Sequence, residues 1–153
     1  EGMNFALSQG DNKMRATIFE KIVEKKGSVP TLIHPSANVS KYAQLGRGVV
    51  VHMNTVVHPD VTVGDNTVLS YNVSVTHSTH IGKNCYLAFG VMLGAYTIVE
   101  DFVFIGIGAI VISGKVDSIG TFASVGAGAV VTKSVASYEC VAGNPAKFIK
   151  TLK

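Results

Sequence analysis

The chain has 153 residues, 47% of them apolar and 15% charged, which suits one principal domain with a sizeable core and excludes a disordered chain. Mean hydropathy is +0.35, but the longest apolar stretch, residues 102–112, is broken by Gly106 and Gly108 and falls short of the ~20 residues that a spanning helix needs. The formal net charge of +3 comes from scattered lysines and arginines, which argues against a nucleic-acid partner and suits small anionic ligands.

No basic-then-apolar signal segment opens the chain, so a soluble cytoplasmic protein without a membrane partner is expected. Residues 4–8 read as a short strand, and Gly10, Asp11 and Asn12 as a turn. Asn12 or Asp11 caps a helix predicted over residues 13–26, with Met14, Ile18 and Ile22 as its apolar face and Gly27 and Pro30 ending it. A strand, turn and helix with no partner strand cannot bury their faces alone. Residues 1–31 are therefore expected to be the remnant of a small α/β domain, with Glu1 not the natural start.

From Ile33 onward an aliphatic residue recurs every six positions, through Val39, Leu45, Val51 and so on to Val111. The series slips by two residues and resumes at Ile119, Val125 and Val131. Four positions after each aliphatic stands a small or β-branched residue, among them Ala37, Thr55, Val73, Cys85 and Ala109. Glycine often follows the aliphatic directly, as at Gly46, Gly64 and Gly94, where a backbone conformation disfavoured by a Cβ is expected. Period two would give an ordinary strand and period 3.6 a helix. Period six gives short strands joined by tight bends, three to a triangular coil of about 18 residues, stacked at the strand spacing of about 4.8 Å. The fold class is thus all-β, a parallel β-helix over residues 32–136, with a C-terminal tail over residues 137–153. Its flat faces and ends need covering, for which a homotrimer is the expected solution. Cys85 occupies a small-residue slot and reads as a reduced core residue; two cysteines are too few for a disulfide framework. The slip near residues 115–118 reads either as a bulge at a coil corner or as a loop projecting toward a cofactor.

The hexad pattern over residues 32–147 resembles that of the hexapeptide-repeat acyltransferases. Spacing does not give the hand of the coil, and parallel crossovers are as a rule right-handed; the resemblance implies a left-handed β-helix. Within the family, Val75-Thr76-His77-Ser78-Thr79-His80-Ile81-Gly82 followed by Leu87-Ala88-Phe89-Gly90 resembles the subfamily of sialic-acid O-acetyltransferases and nucleotide-amino-sugar N-acetyltransferases. That resemblance implies acetyl transfer from acetyl-CoA to an amine or hydroxyl of a sugar or nucleotide-linked sugar, with His77 as general base. Gly10, Asp11 and Asn12, followed by Arg15, resemble the end of that subfamily's nucleotide-sugar-binding domain and read either as acceptor contacts or as an ordinary turn and cap.

The chemistry asks for one histidine, because imidazole titrates near neutral pH and can take the proton of an attacking amine or hydroxyl. Five are present, His34, His52, His58, His77 and His80. One coil of 18 residues beyond His77 is Ala95, beside Gly94, and in the resembling enzymes a backbone N–H at this place binds the thioester oxygen. The family has an acidic residue directly after the base, where this chain has Ser78. Asp60, one coil earlier than Ser78, either orients Ser78 or His77 or is a turn carboxylate. His58 stacks under Thr76 and lines the acceptor pocket or is a surface residue; His34 and His52 stack on each other at the surface, and His80 has no assigned role.

Near the C-terminus, Gly126-Ala127-Gly128 and Lys133 precede Ala142-Gly143-Asn144-Pro145-Ala146-Lys147. By resemblance, Gly126, Ala127, Gly143 and Pro145 hold the pantetheine arm in a cleft between subunits. Lys133 and Lys147 meet the cofactor's phosphates or are plain surface lysines. Two competing readings stand beside this one. A γ-type carbonic anhydrase uses the same β-helix with three histidines on zinc, but two of its ligands are five residues apart, a spacing no histidine pair has here, so no metal is expected. A non-catalytic scaffold or degenerate relative would fit the Ser78 departure.

Overall fold

The structure is a computed structural model and describes residues 3–153; Glu1 and Gly2, the first residues of the expected N-terminal remnant, lie outside the described residues. From Leu32–Ile33 to Val130–Val131 run seventeen two-residue strands, and each ends on an aliphatic of the hexad series. They pair in parallel one coil apart: Tyr86 lies between Val68 and Phe104, and Met92 between Ser74 and Ile110. Three faces result. Face one runs from Leu32–Ile33 through Tyr86–Leu87 to Ser124–Val125, face two from Asn38–Val39 to Val130–Val131, and face three from Gln44–Leu45 to Ser118–Ile119.

The alternation within each short strand explains the core. The second residue points inward, so Leu69, Leu87, Leu93, Ile105 and Ile119 are buried along the prism axis. The small slots at the corners are as dry, with Val61, Val73, Cys85 and Ala109 fully enclosed. Threonine fits such a slot because its hydroxyl finds a carbonyl of the next coil: Thr55 donates to Ser70 O at 2.6 Å, Thr67 to Gly82 O at 2.8 Å and Thr79 to Gly94 O at 3.2 Å. The glycines that follow the aliphatics have a different cause from the one expected. Gly64 and Gly94 have no positive φ; a Cβ on Gly64 would come within 2.7 Å of Gly82 C in the next coil. Crowding between coils selects them.

The left-handed conformation falls three residues after the aliphatic, at Asn54, Asp60, Asn66, Ser78 and Asn84, but also at Phe102, Phe122 and Tyr138. Aromatic residues are unfavourable there. These three stack as a ladder, with ring centroids 4.6 and 5.2 Å apart, which offsets the local cost. The slip of two residues lies between Ile110–Val111 and Ser118–Ile119. It widens the corner between faces two and three, and Val116, not Lys115, fills the inward slot. The two extra residues thus form a bulge at a coil corner, and it lies on the corner that carries His77.

The predicted strand over residues 4–8 does not form: Asn4 makes one isolated parallel bridge with Ser28, and Phe5 N donates to Ser28 O at 2.9 Å. Helix α1, Asn12–Glu24, is capped by Asp11, whose side chain accepts from Met14 N. Its rotation differs from the expected one. It turns Arg15, Ala16 and Phe19 toward the corner between faces three and one, leaving Met14 exposed. Arg15 fixes this orientation. Its guanidinium donates to Asn66 O, Asn84 O and Cys85 O on the prism and to Gln9 O, Gly10 O and Asn12 Oδ1 on its own turn, at 2.9–3.4 Å. At the other end of the prism, strands Glu139–Ala142 and Lys147–Thr151 extend face one, the last of them antiparallel.

Candidate active site

His77 stands in the turn that follows Ser74–Val75, at the corner between faces two and three, with its side chain exposed. The turn is held from below and above: Ser78 N donates to Pro59 O at 3.4 Å, and Tyr96 N to His77 O at 3.5 Å. Thr79 Oγ1 also lies 3.4 Å from His77 O. Ser78 and Tyr96 meet the imidazole. Ser78 Oγ is 3.4 Å from Nδ1, and the Tyr96 ring meets it edge-on at 5.2 Å between centroids. Sequence reasoning passed over Tyr96; one coil counted from Ser78 reaches it.

The one-coil step puts Ala95 beside His77, as counting predicts, and the next steps bring Ser113 and Lys133 onto the same column. Three steps separate His77 from Lys133, about 14 Å at the strand spacing. Ala95 N is already engaged, donating to Ser113 Oγ at 2.9 Å. Beside this column a groove of about 310 Å³ runs over face two, lined by Ser74, Thr76, Met92, Gly94, Ile112 and Ser113. Thr76 donates to Leu93 O at 2.8 Å and closes the groove's lower end. His58 lies one coil below Thr76 on the same corner, its backbone N–H donating to Val75 O at 3.0 Å.

The remaining sequence-predicted residues divide by place. Gly126 and Ala127 sit at the opposite edge of face two, at its corner with face one, where Gly126 N donates to Val141 O. The turn containing Gly143 and Pro145 folds onto the end of face two through Val130 N→Gly143 O and Ala146 N→Val130 O. Lys133 and Lys147 share a hollow of about 280 Å³ at that end. Face two is therefore bordered by all the candidate cofactor residues. The structure does not bring Gly10, Asp11 and Asn12 to them: that turn lies at the corner between faces three and one. There Asn12 donates to Phe102 O and Val103 O, and a hollow of about 420 Å³ opens beside Phe104 and Ser124. Asp60 occupies a left-handed turn position, and no hydrogen bond joins its carboxylate to Ser78 or His77 among the described residues.

Further groups singled out by the sequence or by burial fall outside this corner. His34 and His52 belong to the corner between faces one and two, where burial and then His34 push the His52 pKa below its ordinary value. His80 on face three is bonded to Thr62, Oγ1 to Nδ1, at 2.6 Å. The Cys85 thiol is pushed up to about 12 by burial. Among the described residues no group of three or more His, Cys, Asp or Glu side chains is placed to hold a metal ion, and no helix is long and apolar enough to cross a membrane.

Residues 42–77 match the family described as bacterial transferase hexapeptide (six repeats), whereas no curated protein matches the sequence. Among solved structures, the chain is similar to GDP-perosamine N-acetyltransferase from Caulobacter crescentus, solved with CoA and GDP-perosamine. The two are 32% identical over 97% of this chain and 70% of that one, with a TM-score of 0.94. It is also similar to the acetyltransferase domain of PglB from Neisseria gonorrhoeae, 29% identical over 95% of this chain and 70% of that one, TM-score 0.93; that domain has also been solved with acetyl coenzyme A. WeeI from Acinetobacter baumannii shares the fold at 24% identity, over 97% of this chain and 72% of that one, TM-score 0.93. With the six-residue repeat, the prism and these relatives agreeing, the chain belongs to the hexapeptide-repeat acyltransferases and is an acetyltransferase.

Proposed function

We propose that the chain transfers acetyl from acetyl-CoA to the amine of a nucleotide-linked sugar, with His77 as general base at a boundary between subunits of a homotrimer. The observation that carries this reading is the column of His77, Ala95 and Lys133 beside the groove over face two. A thioester laid at the lower end of that groove would have the base on one side, while Lys133 and Lys147 lie where the cofactor's phosphates would reach. The small residues Gly94, Gly126, Ala127, Gly143 and Pro145 leave the borders of face two open to a long, thin ligand. Bound acetyl-CoA supplies an activated carbonyl; the chain's own groups orient it, take the acceptor's proton and meet the developing charge.

An amine acceptor is favoured over a hydroxyl because the Caulobacter enzyme is an N-acetyltransferase solved with a nucleotide-linked sugar. Gly10, Asp11, Asn12 and His58 are proposed as acceptor contacts. Since the Gly10 turn and His77 occupy different corners of one prism, a neighbouring subunit must bring them together. A ridge of exposed apolar side chains, Met53, Tyr71, Phe89 and Ile107, flanks face two and suits such a neighbour. In this arrangement residues 1–31 belong to an acceptor-binding part, 32–136 to the β-helix and 137–153 to a tail that completes the cofactor cleft.

The test is thiol release from acetyl-CoA with a panel of nucleotide-linked amino sugars, GDP-perosamine included, on the wild-type chain and on His77→Ala. Loss of the base should lower kcat by about 10²–10⁴-fold. A wild type that releases no thiol with any acceptor, or a His77→Ala variant as fast as wild type, overturns the reading and favours the degenerate scaffold that the Ser78 departure suggests.

A further inference from the structure

The column that carries His77, Ala95 and Lys133 also holds Ser113, already bonded to the site. Its Oγ accepts from Ala95 N at 2.9 Å, which takes up the backbone donor that, by the resemblance, would bind the thioester oxygen. A hydroxyl that accepts one bond still has its own hydrogen to give. That hydrogen has no acceptor within the described residues, and Ser113 is exposed on the groove. Gly94 makes the placement possible: a Cβ there would lie 2.5 Å from Ser113 N and 2.8 Å from its Oγ. The widened turn begins directly after it, at Gly114 with φ +69°.

We infer that Ser113 is a further catalytic residue, whose hydroxyl, anchored by Ala95 N–H, donates to the thioester carbonyl oxygen of acetyl-CoA. The inference rests on the proposed acetyl transfer at His77. In the step it serves, the acceptor nitrogen attacks the carbonyl carbon, a C–N bond forms and the C=O π pair moves onto oxygen. His77 takes the nitrogen's proton. When the pair returns, the C–S bond breaks and the thiolate leaves, receiving that proton from His77. Ser113 keeps its hydrogen throughout and only stabilises the charge on oxygen. A backbone N–H bonded to its Oγ polarises the hydroxyl and strengthens the donation, and a fixed donor aimed at developing charge acts most in the transition state.

The experiment compares steady-state kinetics of wild type, Ser113→Ala, Ser113→Thr and His77→Ala with an acceptor the wild type uses. Ser113→Ala should lose about 10²-fold in kcat, the scale of a missing oxyanion donor, with KM for acetyl-CoA within a few-fold of wild type. Ser113→Thr, which keeps the hydroxyl, should recover most of the rate. The inference is overturned if Ser113→Ala is as fast as wild type or faster, which would make the serine a cover over Ala95 N–H. It is also overturned if the loss appears in KM alone, or if Ser113→Thr is as slow as Ser113→Ala. Because His77→Ala is measured alongside, an inactive wild type or an indifferent His77 marks failure of the underlying reading, whereas a slow His77→Ala with an unaffected Ser113→Ala marks failure of this inference alone.

Discussion

At the scale of single residues, buried polar groups decide more than their number suggests. Arg15 is 1% exposed and gives hydrogen bonds to three carbonyls of the prism. Arg15→Met removes those donors while keeping the bulk of the side chain, and each buried acceptor left unpaired costs about 1–3 kcal/mol. Because Arg15 supplies three of the side-chain hydrogen bonds from α1 to the prism, beside those of Asn12, the expected result is local detachment of the helix. Trypsin should cut at Lys21, Lys25 and Lys26 about 10–100-fold faster than in wild type, while the prism stays folded by circular dichroism. Cys85 offers a second check at this scale. Burial pushes its thiol up from 9.0 to about 12, so native protein at pH 8 should take up iodoacetamide at the partly exposed Cys140 and not at Cys85, as read by peptide mass. The raised value also means that Cys85 favours the fold below pH 9, and that this contribution fades as pH rises toward 12.

At the scale of elements, two residues per strand leave no room for error in register. Each strand's neighbours are set by the coil below and above, so a side chain in the wrong place meets backbone and not solvent. Gly94→Ala would drive a methyl into Ser113 N and Val111 O and should cost about 1–3 kcal/mol, read as a lower melting temperature. It would also displace Ser113 from Ala95 N and so slow thiol release. The seventeen short strands of the prism were fully legible, because each inward aliphatic is the second residue of its strand, whereas the expected strand over residues 4–8 does not form and Glu139–Ala142 and Lys147–Thr151 lie in what read as a tail. His77, Ala95 and Lys133 were equally countable, since a solenoid converts sequence distance into place. What escaped was set by single side chains acting across coils. The helix looked amphipathic through Met14, Ile18 and Ile22, yet a buried arginine outweighed that stripe. Ser113 lay two coils beyond His77 and was within reach of the same arithmetic. The aromatic residues at left-handed positions carried no signal, because propensity alone puts asparagine or glycine there.

At the scale of the whole molecule, the surfaces of face two and its edges remain apolar, with Met92, Phe89 and Ile107 exposed in the single chain. A homotrimer would cover them and place the proposed groove at a boundary between neighbours. Phe89→Glu puts a charge in that boundary, and the expected outcome is a shift from a particle of three times the chain mass of 16.1 kDa to the single chain. Light scattering behind size exclusion reads the mass, and thiol release should fall together with the trimer while the melting of the prism changes little.

The stacking of one coil on another has a consequence for how such an enzyme can change. The reach between the proposed base and the lysines proposed to meet the far end of the cofactor is graduated like a ruler, in divisions of about 4.8 Å. A duplicated or deleted coil would lengthen or shorten that reach by one whole division and keep every side chain facing as before. Insertion of a single hexad would instead rotate everything downstream by one face and break the alignment. Variation in cofactor reach within this architecture is therefore granular, and the only continuous adjustment lies in the corner turns, such as the widened one beside Ser113.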